Sequence, residues 1–364
     1  MLLKEIYSRS FYNRIGDVFE TTIPGFKKVS FLKKIFTPDF ETKELKARMR
    51  HTAAVLHEFF PADYKETVAI IEQSIQSFRE NGIGEDGLAF MFLPDYIEHF
   101  GLEDYATSVR AIEFITQFVS CEFAVRPFLL RYEAEMMRQM SIWATHENHK
   151  VRRLASEGCR TRLPWAMAVP SLKKDPAKIL LVLEQLKNDS SEWVRRSVAN
   201  SLNDIAKDHP QLVLDIAKKW SGISRETDAI IKHGCRILLK QGHVDILKHY
   251  GLDGKHIAVD HLKIFRSEIK IGEYLEFSFT VTNKAKTEQK VRLEYALYFQ
   301  RQNGQHSKKV FKISEKLYAR QTTTSITRRQ SFMPITTRRY YPGRQRLSII
   351  VNGEEKTIAD FELV

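Results

Sequence analysis

The chain has 364 residues, 43% of them apolar, and a formal net charge of +12. Such an apolar content supports packed cores and excludes wholesale disorder, and the length suits one large domain or two of ordinary size. No run of about twenty apolar residues is present, which excludes a membrane-spanning helix.

From the N-terminus, MLLKEIYSRSFYNRIGD meets charge too early for a secretory signal, so a cytosolic protein is expected. The first 250 residues read as helix after helix. ETKELKARMRHTAAVLHEFF (41–60), YKETVAIIEQSIQSFRE (64–80) and YATSVRAIEFITQFVSCEF (105–123) repeat apolar positions at three- and four-residue steps. Pro38, Pro61, the NGIGEDG stretch at 81–87, Pro94, Pro164, Pro170, Pro176 and Pro210 punctuate them. A repeat runs through this region. VRRLASEGCR begins at Val151, VRRSVANSLN at Val194 and TDAIIKHGCR at Thr227, with a fainter VRAIEFITQF at Val109. The spacing matches two-helix solenoid units of the HEAT type, about 40 residues each. Stacked pairs curve into a superhelix whose second helices line the concave side.

After Gly254 the pattern changes to alternation with β-branched and aromatic residues. LKIF, YLEFSFTVTN, KVRLEYALYFQ, KKVFKIS, TTSITRRQSF and RLSIIVNG read as strands, with turns at Asn303-Gly304 and Asn352-Gly353. About seven short strands in roughly 100 residues suit an immunoglobulin-like β-sandwich. The fold class is therefore mainly α: a HEAT-like helical-repeat solenoid over 1–254, followed by a basic β-sandwich over 255–364. From Lys255 onward 21 Lys and Arg stand against 11 Asp and Glu, whereas the preceding residues are nearly balanced. A basic tail on a neutral body suggests a polyanionic partner, or simply a soluble basic domain.

Cys121, Cys159 and Cys235 follow no CxxC spacing, and the latter two fall on apolar helix faces, so reduced core residues are expected. His146 and His149 form a lone HENH with no further ligands to make a metal site.

Register between the repeats aligns Arg153 with Arg196, Glu157 with Asn200 and Arg160 with Asn203; His233 and Arg236 complete the last two columns. Val151, Leu154, Ala155 and Cys159, then Val194, Val198 and Leu202, occupy the opposite faces, so the polar columns are expected to point into a common groove. Cationic and amide side chains in such a row grip phosphates without reading bases. Arg153, Arg160, Arg196, Asn200, Lys232 and Arg236 are the candidate contacts. Acids are the anomaly. Asp204 ends the four-residue series Arg196, Asn200, Asp204, and at about 4 Å with an effective dielectric near 20 its repulsion of a phosphate is worth roughly 4 kcal/mol. Either Asp204 pairs with Arg196 or a neighbouring lysine on a solvated face, or the groove meets a cation.

ELKARMRHTAAVLHEFFP (44–61), FLPDYIEHFG (92–101), VRRLASEGCRTRLPWA (151–166) and WVRRSVANSLNDIAKDHP (193–210) resemble the AlkC-type alkylpurine DNA glycosylases, relatives of the AlkD group built on HEAT-like repeats. The resemblance spans most of 1–250, and the tail resembles the immunoglobulin-like domain carried by a subset of that family. It implies excision of cationic alkylated bases, chiefly 3-methyladenine and also 3-methylcytosine, from duplex DNA without full base flipping. It places the catalytic acid on Asp204, further groove acids on Glu122 and Glu157, and the site aromatic on Trp165. It implies no cofactor and no metal, and a monomer is expected.

The chemistry suits those residue types. A base alkylated at N3 is already cationic, leaves neutral and needs no general acid, while positive charge builds on the deoxyribose. A carboxylate against the sugar stabilises that charge and orients water, and about 4 kcal/mol corresponds to about a thousandfold in rate. Trp165 adds roughly 0.5–2 kcal/mol by stacking on a cation; taken alone, it also reads as a core aromatic after Pro164. No helix-hairpin-helix signature or catalytic lysine is apparent, so strand cleavage is not expected. In the tail, Arg328-Arg329, Arg338, Arg339 and Arg344–Arg346, interleaved with Phe332, Tyr340 and Tyr341, read as a second grip on DNA or as solubilising charge on strand edges. A non-catalytic scaffold that binds DNA or a protein through the groove, and a sandwich that binds a protein, are the competing readings.

Overall fold

The computed structural model describes residues 2–85, 87–336 and 338–364. Asp86, within the NGIGEDG punctuation, and Thr337 lie outside them. Among the described residues sixteen α-helices run from Arg9 to His249 and eight strands follow from Ile257.

The chain forms two compact units: Met1–His209 with Trp220–Gly234, and Pro210–Lys219 with Cys235–Val364. The division does not follow the change of secondary structure at 254. Helices Arg236–Gln241 and Val244–His249 pack with the strands because the β-hairpin turn at Asn352-Gly353 takes them up. A Cβ on Gly242 would lie 2.8 Å from the Gly353 carbonyl. Asn352 Nδ2 donates to the Asp253 carbonyl at 2.8 Å, and its Oδ1 accepts the Arg292 N–H at 2.7 Å.

In the first unit the repeat takes physical form. Helices Tyr105–Thr116, His149–Gly158, Glu192–Ile205 and Arg225–Gly234 pack side by side in that order. Their apolar positions, among them Val109, Ile112, Val151, Leu154, Val194, Val198, Leu202 and Ile230, are buried at helical spacing. Small residues set the approach. Ser156 donates to Ser197 Oγ at 2.7 Å across one helix pair, and a Cβ on Gly234 would lie 2.8 Å from Leu202 Cβ. Asn148, Asp104 and Asp63 cap their helices by accepting main-chain N–H groups. The N-terminal helices bury an aromatic core in which Tyr12, Phe19, Phe31 and Phe78 meet edge-on, and the buried Tyr12 hydroxyl bonds Thr52 at 2.7 Å.

The strands are β1 (Ile257–Ile264), β2 (Glu268–Ile269), β3 (Tyr274–Asn283), β4 (Gln289–Gln300), β5 (His306–Tyr318), β6 (Thr323–Ser331), β7 (Gly343–Val351) and β8 (Glu354–Leu363). They form sheets in the order β1-β3-β6 and β2-β8-β7-β4-β5, antiparallel except for β2 beside β8. Alternate residues such as Leu275, Phe277, Phe279 and Val281 interdigitate with Leu293, Leu297, Leu347 and Ile349 between the sheets. Asn352-Gly353, both at positive φ, closes the β7–β8 hairpin with a tight two-residue turn. β8 escaped the sequence reading because EEKTIADFEL carries five charges on a mostly exposed strand, and its inward residues are masked by them.

Candidate active site

The three acids singled out in the sequence lie on one unbroken chain of alternating charge. Asp204, in the last turn of Glu192–Ile205, is 3% exposed. Its Oδ2 accepts from Arg160 Nε at 2.9 Å and lies 2.7 Å from Nη2, while Oδ1 accepts from Lys207 Nζ at 3.2 Å. Arg160 Nη1 donates to Glu157 Oε1 at 2.6 Å, and Arg153 Nη2 lies 3.9 Å from that same oxygen. Arg153 Nη1 reaches Ser120 Oγ at 2.9 Å and Glu122 Oε2 at 3.5 Å. The order is Glu122, Arg153, Glu157, Arg160, Asp204, Lys207. Burial works against the charge on Arg160, yet Glu157 and Asp204 outweigh it and hold its pKa above the ordinary arginine value.

This geometry corrects part of the sequence reading. Asp204 is not on a solvated face, and Arg196 is not its partner: Arg196 is exposed and pairs with Glu192 at 2.9 Å. The arginine that meets Asp204 comes from the preceding repeat. Arg160, expected to grip phosphate, is buried with its guanidinium committed to two carboxylates. Arg153 is likewise engaged, and its guanidinium also stacks over Trp193 at 4.5 Å. Arg160 and Asn203 turn inward where the helices end, and the exposed Arg236 belongs to the other compact unit.

The remaining candidates of the first unit stay near the surface. Arg196 shares a groove of about 320 Å³ with Arg195, Arg225 and His233, between Glu192–Ile205 and Arg225–Gly234. Asn200 Oδ1 lies 3.1 Å from His233 Nε2, and Lys232 is half-buried one residue away. In the sandwich unit, Arg338 stacks over Phe299 at 4.1 Å and the exposed Arg339 over Tyr341 at 5.4 Å. His146 Nδ1 accepts the Asn148 N–H at 2.9 Å, a local turn contact. All three cysteines are buried, and burial pushes the Cys159 thiol up to about 12.

Trp165 is not a core residue. It is 65% exposed in a turn after Pro164, at φ +64, and its carbonyl accepts from Lys46 Nζ. Two recesses border it. One of about 190 Å³ has Glu122, Phe123 and Met49 in its wall, so Glu122 joins the tryptophan to the charge chain. The other, about 300 Å³, holds Lys46, Arg50, Asp95 and Glu98. Arg50 grips Asp95 with Nε at 2.7 Å and Nη2 at 2.9 Å, while Glu98 is pushed up to about 7, chiefly by burial and then by Asp95. The sequence reading foresaw no such hollows beside the tryptophan, because residues far apart in the chain build them.

Two further residues belong to the site: Lys207 is the neighbouring lysine offered as a partner for Asp204, and Arg126, just past the quoted helical string at 105–123, drew no notice. Lys207 follows Asp204 by one turn in LNDIAK. Arg126, in CEFAVRPF, is an arginine within an apolar helical run and four residues from Glu122; that placement is the signal that marks it.

The model of the family described as DNA alkylation repair enzyme matches residues 48–228, and that of the family described as the C-terminal Ig-like domain of YhaZ matches 258–364. An uncharacterized protein of Bacillus subtilis (strain 168), YhaZ, is 42% identical over 362 residues, covering 99% of both chains. The alkylpurine DNA glycosylase AlkC of Pseudomonas fluorescens, solved bound to DNA containing an abasic site analog, is 34% identical, with 100% of both chains covered and a TM-score of 0.94. With the helical repeat, the Ig-like tail and full-length likeness all in agreement, the chain belongs to the AlkC-type family of DNA alkylation repair proteins.

Proposed function

We propose that the protein is a monofunctional DNA glycosylase that hydrolyses the N-glycosidic bond of cationic bases, 3-methyladenine and 3-methylcytosine, in duplex DNA. The observation that carries this reading is Asp204, a nearly buried carboxylate whose Oδ2 is fixed by Arg160. Three carboxylates and three cations make the charge chain neutral in sum, so it does not repel a polyanion as bare acids do. Within it, Arg160 fixes the direction in which Asp204 presents charge. That is preorganisation toward a sugar turning positive. Lys207, more exposed than its partner, covers Oδ1; a phosphate gives this lysine another partner and leaves Oδ1 to the deoxyribose and the attacking water.

The leaving base carries its own positive charge and needs no proton, in keeping with a site whose acids are matched by cations. Trp165, exposed beside Glu122, offers a face to the cationic base or the sugar. Charged and apolar side chains together line the larger recess beside it, and excision without full flipping is carried here as part of the family resemblance. Glu122 and Glu157 hold Arg153 and Arg160 in place. In the second unit Arg236, Arg338 and Arg339 contact the DNA backbone, Arg196, Asn200 and Lys232 of the first unit do so as well, and a monomer suffices.

One assay decides between this reading and a non-catalytic scaffold: release of free methylated base from methylated duplex by the purified protein. We expect free 3-methyladenine with the strands left intact. DNA binding without base release removes the glycosylase reading, and borohydride trapping of the protein on abasic DNA removes its monofunctional part.

A further inference from the structure

The turn that carries Trp165 is strained and held from outside. A left-handed φ costs a non-glycine residue about 1–2 kcal/mol and persists only where its surroundings enforce it. Lys46 holds the Trp165 carbonyl from the exposed side. From the buried side the holder is Arg126, 1% exposed, at the start of the helix Val125–Arg131. Its Nε donates to the Met167 carbonyl at 2.9 Å, and its Nη1 donates to the carbonyls of Gly158 at 2.9 Å and Arg160 at 2.8 Å. These acceptors are all main-chain; among the described residues no carboxylate pairs with it. Burial pulls its pKa down to about 10, so the cation persists at neutral pH at a desolvation cost.

The three carbonyls are not scattered. Gly158 ends the helix that carries Glu157, Arg160 is the residue whose guanidinium fixes Asp204, and Met167 closes the Trp165 turn. Arg126 itself lies one helical turn beyond Glu122. Close approach makes this reach possible, since a Cβ on Gly158 would lie 2.6 Å from Val125 Cγ2. One side chain thus ties together the segments bearing Glu122, Glu157 with Arg160, and Trp165.

We propose that Arg126 is a positioning residue of the excision site, holding the Trp165 turn against the segment of Glu122. It touches no substrate and acts through Trp165. The proposal rests on the glycosylase reading above.

The test compares single-turnover excision of 3-methyladenine and duplex affinity in wild type, Arg126→Lys, Trp165→Ala and the double variant, with 5-fluorotryptophan in each protein. Lysine keeps the charge but loses the planar fork that serves three carbonyls. We expect excision about tenfold slower in Arg126→Lys with affinity within about twofold, and a double variant no slower than Trp165→Ala. The Trp165 fluorine resonance, identified by its loss in Trp165→Ala, shifts or broadens in Arg126→Lys. Should lysine fail to fold, Arg126→Gln, which keeps two donors without charge, takes its place. Losses that multiply in the double variant overturn the proposal, as does a folded Arg126 variant with the wild-type rate and an unmoved resonance. If Trp165→Ala alone excises at full rate, the role assigned to Trp165 is what fails, and the resonance alone then decides whether Arg126 holds the turn. A wild type that releases no base sinks both.

Discussion

Arg153 and Arg160 of the helical repeats and Arg338 and Arg339 of the sandwich, all candidate DNA contacts, are treated in opposite ways. In the repeats, Arg153 and Arg160 are sunk among Glu122, Glu157 and Asp204. In the sandwich, Arg338 and Arg339 lie over aromatic rings, and among the described residues neither meets a carboxylate. Buried pairing by itself does not mark a site, because the sandwich also holds Arg292 between Glu294 and Glu315, with the exposed Lys312 beyond Glu315. The charge chain of the repeats differs in reaching the surface at both ends, through Glu122 and Lys207. A site that stabilises a developing cation needs fixed carboxylates, and fixed carboxylates need buried cations. A surface that only grips phosphate needs neither.

Substitutions that break this contrast are expected to differ in size. Asp204→Asn keeps the shape and an acceptor for Arg160 but removes the charge. Excision should fall about a thousandfold while duplex affinity stays within a few-fold, as single-turnover kinetics and binding titrations will show. Full activity in that variant removes the mechanism. Arg160→Met takes from two buried carboxylates their nearest cation, leaving Lys207 at 3.2 Å and Arg153 at 3.9 Å, and should destabilise the fold by about 3 kcal/mol, read by denaturant unfolding; a loss confined to DNA affinity would instead restore Arg160 as a phosphate contact.

Glu98 sharpens the contrast from another side, since its acid is half-buried beside Asp95 and reached by Arg50, already committed to Asp95, only at 3.4 Å. Its pKa of about 7 lies above the roughly 4.3 of an unfolded glutamate. Between those values the folded state holds a proton that the unfolded chain has lost, so stability falls as pH rises through that window. Glu98→Gln should therefore be more stable than wild type at pH 8 and gain nothing at pH 4; equal unfolding midpoints at pH 8 would contradict this. The smallest effect is expected at the sandwich. Replacing Arg338 and Arg339 with alanine should weaken DNA binding by a few-fold and lower the salt-dependence slope by about 1–2, at roughly one phosphate per arginine. An unchanged slope would favour a protein-binding role for this surface.

The repeat was legible because helical periodicity is local: buried Val194, Val198 and Leu202 announce themselves three and four residues apart. The hairpin at Asn352-Gly353 was legible for a similar reason, since few dipeptides adopt two successive positive φ angles. Asp204, Glu122, Glu157 and Trp165 came from motif resemblance, with the acid anomalous enough in its row to attract suspicion unaided. A neighbouring lysine for Asp204 was foreseen and is Lys207, but the arginine partners of these residues were not legible. Arg160 and Arg196 are both arginines in VRR- or GCR-type strings, and nothing local shows that one turns inward while the other stays in water.

What the sequence determined alone was the order of elements, the apolar faces and the residue types available for chemistry, all set by short-range spacing. Tertiary structure alone decided which charges meet, that Trp165 is exposed on a strained turn, and that helices 236–249 fold with the strands. Those outcomes depend on side chains 30 to 120 positions apart competing for a few buried places, as Arg160 and Asp204 do across 44 residues. Electrostatic pairing falls off within a few ångströms and so responds to proximity in space, which periodicity along the chain does not encode.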